Sequence, residues 1–437
     1  MLRTSTVVLL FVLLIALIAG GVYYFRDTEG PQVVINPDSG PVSANHPLQL
    51  KLTDQDSGLR NASVSVVQNG KTFPLLSSEF PIQTETESLP LSLADLKLKN
   101  GPLELVVQTT DRSVYHFGKG NTSEQRVVLE YDNKPPVISV RSRSHNLRQG
   151  GSGLIIYTVS EEVVRTGVVL GERFFPGYQQ PSGDYACLFS LGYDTDAKGV
   201  SPRLIAEDLA GNERKTGFNY FANPRKPVHT RINLSDSFLD AKMPNFQHLY
   251  SEETDMLGVF LKVNQQLRAA NRQQLGTLGK KTASEPLWNG SFFRQPGANK
   301  EGFGAVRTYY YRGKKVDIQT HLGIDLASVA HGPINATNDG VVVYADEFGI
   351  YGQCVIIDHG LGLQSIYGHL SSIGVAVGDQ VHGGDEIGRT GATGLAGGDH
   401  LHFGILVSGT PVNPLEWWDT NWVKNNITGK LQLLQER

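Results

Sequence analysis

The chain has 437 residues, 39 Lys and Arg against 43 Asp and Glu, a formal net charge of −4, and two cysteines, Cys187 and Cys354. Such a length corresponds to about three domains. The near-neutral balance offers no basic field to displace counterions from phosphates, which argues against nucleic acid as a partner, and two distant cysteines exclude a disulfide scaffold or a multi-cysteine metal site.

Between Arg3 and Arg26 the chain carries no charge. A helix over 4–25 covers a hydrocarbon core of about 30 Å, with Tyr23 and Tyr24 at the outer interface. The alternative is a cleaved secretory signal with Ala19, Gly20 and Gly21 near the cut. The long apolar run favours a retained anchor over residues 1–27, and both readings place the remainder outside the cytoplasm.

From Pro31 to Pro227 short alternating runs are broken by turns, as in PLQLKLTD (47–54), ASVSVVQNGK (62–71) and LELVVQTTD (103–111). Period-two alternation with Asn-Gly or Asp-Ser-Gly punctuation predicts antiparallel strands and hairpins. Pro135-Pro136 marks a boundary, since paired prolines stop both helix and ladder. LELVVQTTDRS and VVLEYDNKPP before it are echoed by PRLIAEDLAGN (202–212) and NYFANPRKP (219–227). The expectation is two β-sandwiches, 28–134 and 135–226, and the AEDLAGNE ending of the second resembles bacterial immunoglobulin-like domains. Spacing or docking is the role expected of them.

A helical linker region follows over 227–284. Met256, Phe260, Val263 and Leu267 fall at helical spacing within 251–275, with Ser251 as expected N-cap and Glu252, Glu253 and Asp255 near the positive end of the dipole. The stripe predicts packing on a neighbouring domain, and the position of the region allows it to cover a groove downstream.

Seven of the twelve histidines lie in 321–402: His321, His331, His359, His369, His382, His400 and His402. In THLGIDLA, His321 and Asp325 are four apart; in HLHFGI, His400 and His402 are two apart. On a strand both spacings put a pair on one face, and on a helix His400 and His402 would diverge by about 200°. Two histidines and one carboxylate form a zinc set with an open fourth position, the pattern of a catalytic rather than a structural site. Zinc would lower the pKa of a bound water to about 7 and polarise a carbonyl, and His369 and His400 are available for proton transfer. His331, His359 and His382 read as structural or exposed, with His359 fixing a turn, and Cys354 as a buried small hydrophobe. The glycine-rich 378–398 is expected to shape a groove wall.

The ordered elements HLGID (321–325), YGHL (367–370), VAVGDQVHGGDEIGRTGATG (375–394), HLHF (400–403) and NP (413–414) resemble the M23 peptidase family of LytM or lysostaphin type. The resemblance covers roughly 285–420, with 421–437 as a C-terminal tail. It implies a small antiparallel β core, one Zn2+ per chain on His321, Asp325 and His402, and His369 and His400 as catalytic histidines. It also implies a substrate among the peptide cross-links of peptidoglycan. FGAVRTYYYRGKK (303–315) is similar to the lead-in loop of cell-anchored members, where a tyrosine often assists; spacing does not choose among Tyr309, Tyr310 and Tyr311. The expectation is therefore a mainly β, membrane-anchored zinc metalloendopeptidase. It would span a bacterial inner membrane once through its N-terminal helix, its soluble part in the periplasm or cell-wall space. Two other classes compete: an envelope regulator that has lost catalysis and activates a cell-wall amidase, and a structural wall-binding protein. Retention of all five polar positions favours the enzyme.

Overall fold

The computed structural model describes residues 4–435, and strands dominate it. The chain divides into two compact units: 4–136 with 161–164 and 207–214, and the remaining residues from 137 to 435.

In the first unit the apolar run forms a helix over Thr4–Tyr24, exposed from Ser5 to Gly20, and among the described residues it is the one helix long and apolar enough to cross a membrane. The strands Gln32–Asn36, Leu48–Thr53 and Thr86–Leu91 form one antiparallel sheet. Pro41–Val42, Thr122–Tyr131, Gly101–Asp111, Leu59–Gln68 and Lys71–Glu79 form a second, in that order. Alternation decides which face is buried: Leu48, Leu50 and Leu52 point into the core while Gln49 and Lys51 face solvent. Leu103, Leu105 and Val107 meet them from the other sheet in one apolar cluster.

Two four-stranded sheets come next in chain order. One runs Tyr178–Gln179, Tyr185–Ser190, Ser152–Val159, Ile138–Val140; the other runs Arg173–Pro176, Val163–Leu170, Arg203–Asp208, Glu213–Gly217. Every residue of Tyr185–Ser190 is buried, so this strand reads as a continuous apolar run rather than an alternating one. Farther along, an eight-stranded antiparallel sheet has Ala298–Glu301 and Ile324–Ala327 beside Leu401–Val407, then Leu363–Leu370, Gln353–Asp358, Gly340–Glu347 and Gln380–Val381, with Thr410–Val412 paired to Leu401–Val407. A three-stranded sheet pairs His229–Leu234 in parallel with Val306–Tyr311, which runs antiparallel to Lys314–Thr320. The region 227–284 thus contributes a strand as well as helices.

The helix expected from Ser251 begins at Met256 instead. Asp255 caps it, its side chain accepting from the Leu257 amide at 3.3 Å. Glu252 and Glu253 stay outside the first turn because both pair with Lys262, at 2.6 and 2.8 Å, an ion pair replacing the dipole contact. The helical run continues through a π-turn at Val263–Leu267 to Leu278. Its apolar stripe packs as expected: Phe260 and Val263 are buried with Tyr309, Tyr351, Ile356 and Leu406 of the β core, and Met256 and Leu267 flank them. The segment 421–437 is helical as far as Leu434 within the described residues.

His331 and His382 are exposed, while His359 is fully buried, its Nδ1–H donating to the Asp339 carbonyl at 2.6 Å and its Nε2 facing Ser365 Oγ at 2.8 Å. Burial drives its pKa down to about 4 against the pull of the Asp339 carbonyl. Because the folded value lies below the unfolded one, the neutral form is the stabilising one. That contribution is complete above about pH 6.5 and is lost as pH falls towards 4, on the order of 3 kcal/mol in all. Denaturant unfolding of wild type should therefore weaken across this window, and His359→Gln should flatten the slope; equal slopes would refute the assignment. Cys354 is fully buried, its thiol pushed up by burial, in keeping with a packing role.

Candidate functional site

Strand register builds the site. Asp325 on Ile324–Ala327 stands opposite His402 on Leu401–Val407, and Gly368, one residue before His369, stands opposite His402 on the other side. Three adjacent strands therefore deliver a carboxylate and two imidazoles to one patch. His321 arrives differently from expectation. It precedes its strand, so the four-residue spacing reflects a loop rather than strand alternation. Gly323 makes this loop possible, since a Cβ there would meet His402 Nε2 and the Phe403 carbonyl. His400 also lies just before its strand, where a single bridge pairs it with Gly391.

His321, Asp325 and His402 converge: His321 Nε2 lies 3.0 Å from Asp325 Oδ1 and 3.1 Å from His402 Nδ1, and His402 Nδ1 lies 2.9 Å from Asp325 Oδ1. All three residues are buried. The His321 Nδ1–H donates to the Gly302 carbonyl at 3.2 Å, which turns the lone pair of Nε2 inward. Burial drives the His402 pKa down to about 4, so its ring is neutral at pH 7. Burial alone would raise the Asp325 carboxyl, but the two imidazoles beside it outweigh that and hold it well below the usual range. Three acceptor atoms thus share one small volume, and a proton on His402 Nδ1 would leave Nε2 as a buried acceptor with no donor among the described residues. A divalent cation would satisfy all three. Their mutual spacing is close to the edge of a tetrahedron with roughly 2 Å metal–ligand bonds, and the donor set of two imidazoles and a carboxylate suits zinc.

His369 and His400 sit beside this trio, their rings 4.8 Å apart, and the His369 ring lies 5.9 Å from that of His402. The His369 Nδ1–H donates to the Thr393 carbonyl at 2.9 Å and the His400 Nδ1–H to the Gly398 carbonyl at 2.8 Å, so each keeps an Nε2 lone pair. His400 Nε2 lies 3.7 Å from Asp325 Oδ1. Burial, then the neighbouring His400 and His402, hold the His369 pKa well below its ordinary value. All five expected residues therefore meet in one place.

Two further residues support the trio. Arg307 donates to Asp325 Oδ2 at 2.7 Å and also pairs with Glu301, whose Oε2 lies 3.4 Å from His321 Nδ1. Burial opposes the guanidinium charge, but Asp325, Tyr309 and Glu301 outweigh it and raise the Arg307 pKa. Outer partners of this kind orient metal ligands. Sequence reasoning missed both, although alternation along Val306–Tyr311 puts Arg307 and Tyr309 on one face.

The site opens on a cavity of about 290 Å³. The β core contributes Tyr309, Tyr351 and the five polar residues, and the preceding region contributes Ile232, Leu234, Phe238, Phe260, Arg268 and Arg272. Of the three candidate tyrosines only Tyr309 lines it; Tyr310 stacks under Arg231 and Tyr311 donates to Asp236 at 2.8 Å. Tyr351, absent from the sequence reading, lines the cavity with its ring 5.3 Å from that of His402. Leu395 and Gly397 of the glycine-rich stretch form part of the wall.

Residues 319–414 match the profile of Peptidase family M23. Over 95 residues the chain is 42% identical to the DD-carboxypeptidase/endopeptidase Mpg of Neisseria meningitidis, covering 22% of each chain. It is 38% identical over 99 residues to the peptidoglycan DD-endopeptidase ShyA of Vibrio cholerae, covering 23% of each. It is 40% identical over 84 residues to the murein hydrolase activator EnvC of Escherichia coli, covering 19% of this chain and 20% of that one. The chain thus matches about a fifth of the length of these curated relatives.

Proposed function

We propose, from the premise that residues 319–414 are an M23 peptidase domain, that the chain is a zinc metalloendopeptidase cutting peptide cross-links of peptidoglycan from an inner-membrane anchor. The observation that carries the reading is the convergence of His321 Nε2, Asp325 Oδ1 and His402 Nδ1 within 3.1 Å of one another at the base of a cavity. In this reading those residues hold one Zn2+, which when bound supplies a Lewis acid and an activated water. His369 and His400 then move protons, each through the Nε2 left free by its carbonyl-bound Nδ1. Arg307 and Glu301 keep Asp325 and His321 oriented. Tyr309 and Tyr351 line the same cavity, and in this reading one of them supplies a hydroxyl to the developing oxyanion. The modules 28–134 and 135–226 serve as an immunoglobulin-like stalk, 227–284 as a wall of the cleft, and 285–420 as the peptidase.

The likeness to EnvC keeps a regulatory role as the second reading, and the intact donor set favours the enzyme. The test is incubation of the purified full chain with cell-wall sacculi and with defined cross-linked muropeptides, followed by mass spectrometry of the fragments. New amino termini should appear, vanish with a zinc chelator and return on adding zinc. Tight binding to sacculi without any zinc-dependent cleavage would overturn the enzymatic reading in favour of the regulatory or structural one.

A further inference from the structure

At the head of the first β module lie three carboxylates that the peptidase site does not use. Asp27 follows the N-terminal helix by three residues, Asp54 directly follows Leu48–Thr53, and Asp111 closes Gly101–Asp111. They are 6%, 7% and 0% exposed, and one oxygen from each lies within 4.8 Å of the others. The hydrogen bonds they receive come from neutral donors. Asp54 Oδ1 accepts from the amides of Gly58 at 2.7 Å and Ser57 at 3.0 Å, and Asp111 Oδ1 from those of Asn121 at 2.7 Å and Ser113 at 2.9 Å. These bonds aim the carboxylates without neutralising them.

Two buried oxygens at this place have no partner among the described residues: Asp27 Oδ2 and Asn121 Oδ1. Asn121 is 5% exposed, and its Nδ2 donates to Asp111 Oδ2 at 2.7 Å and to the Asp27 carbonyl at 3.3 Å, so its amide lies against the carboxylates. Burying three carboxylates together, with one of their oxygens and the neighbouring Asn121 Oδ1 unsatisfied, is costly without a compensating charge. Every donor atom is oxygen, and none is imidazole or thiolate, which selects a hard cation of flexible, high coordination.

We propose that Asp27, Asp54, Asp111 and Asn121 bind one Ca2+ ion, which fastens the segment leaving the N-terminal helix onto the first β module. Asp27 is already tied there through its carbonyl, which accepts from Ser113 Oγ at 2.7 Å, and the ion locks the direction of that exit. A second acidic group repeats the plan with one difference. Asp208 Oδ1 accepts from Ala210 and Asn212 amides, both at 2.8 Å, and Asn212 Nδ2 reaches Asp208 Oδ2 at 3.0 Å and the Asp132 carbonyl at 2.9 Å. There the amide oxygen accepts from Asn45 Nδ2 at 2.9 Å, and the third acid, Glu161, is exposed. The unsatisfied oxygens distinguish the first group.

The test uses the full chain in detergent, stripped of metal and titrated calorimetrically with CaCl2 or MgCl2. Asp27→Asn is the informative variant, because Oδ2 makes no hydrogen bond that the amide would lose. Wild type should bind one equivalent of calcium, with a dissociation constant of about 10⁻⁵ to 10⁻³ M and more weakly for magnesium. Calcium should slow tryptic cutting after Arg26 at least ~5-fold, because the ion binds only the form in which Asp27 is fastened to the module. Asp27→Asn and Asp54→Asn should abolish both effects, and Asp132→Asn should retain them. No calcium uptake by wild type, unchanged binding in Asp27→Asn, or loss of binding in Asp132→Asn alone would each overturn the proposal.

Discussion

Asp325→Ala is expected to empty the metal site and lower cross-link cleavage by at least ~10³-fold while the domain stays folded. Oδ1 of this carboxylate stands 3.0 Å from His321 and 2.9 Å from His402, and Oδ2 takes the Arg307 guanidinium at 2.7 Å. Removing it deletes one of three donors and, among the described residues, the carboxylate that faces both imidazoles of the trio. The strand itself does not depend on that side chain. Ile324 and Leu326 on either side are 0% and 1% exposed and stay paired to Phe403 and Leu401 through backbone bonds. Arg307 keeps Glu301 as a partner, so no buried cation is stranded. Metal content per chain, thermal melting and release of new amino termini from sacculi form the measurement. A variant that still holds one zinc and still cleaves would show that the donor trio is not the metal site.

His369→Ala should separate the two roles proposed for the histidines: one metal per chain retained, with cleavage reduced by about 10²- to 10⁴-fold. The trio of donor atoms is complete without His369, whose ring centroid lies 5.9 Å from that of His402. Its Nδ1–H is committed to the Thr393 carbonyl, so substitution removes an oriented lone pair rather than a ligand. The loss should fall on kcat with KM little changed, the signature of a group acting in the transition state. Equal loss of metal and activity would make His369 a ligand, and full activity would remove it from the chemistry.

Much of this was legible in the residues because it is local. Alternation in PLQLKLTD predicts the buried Leu48, Leu50 and Leu52, and an uncharged run of 22 residues between Arg3 and Arg26 predicts a long apolar helix. The histidine-rich segment and its order of motifs named all five polar residues that meet. The spacing argument was right for the wrong reason at HLGID, where a glycine loop rather than strand alternation brings His321 beside Asp325. The Ser251 cap failed because two carboxylates in the first expected turn found Lys262, a competition between charges that no propensity at one position expresses.

Chain order and residue type, on their own, marked the candidate metal donors, through donor chemistry and the order of motifs the chain shares with a known family, and short-range periodicity marked which segments would be strand or apolar helix. Only the tertiary structure decided that Arg307 and Glu301 brace the trio, that Tyr309 and Tyr351 reach the cavity while Tyr310 and Tyr311 do not, and that residues from 232 to 272 wall the cleft. It alone gathered Asp27, Asp54 and Asp111 into one buried group. The physical reason is that sheet register and loop closure set distances between residues tens of positions apart, and neither leaves a local trace in the sequence.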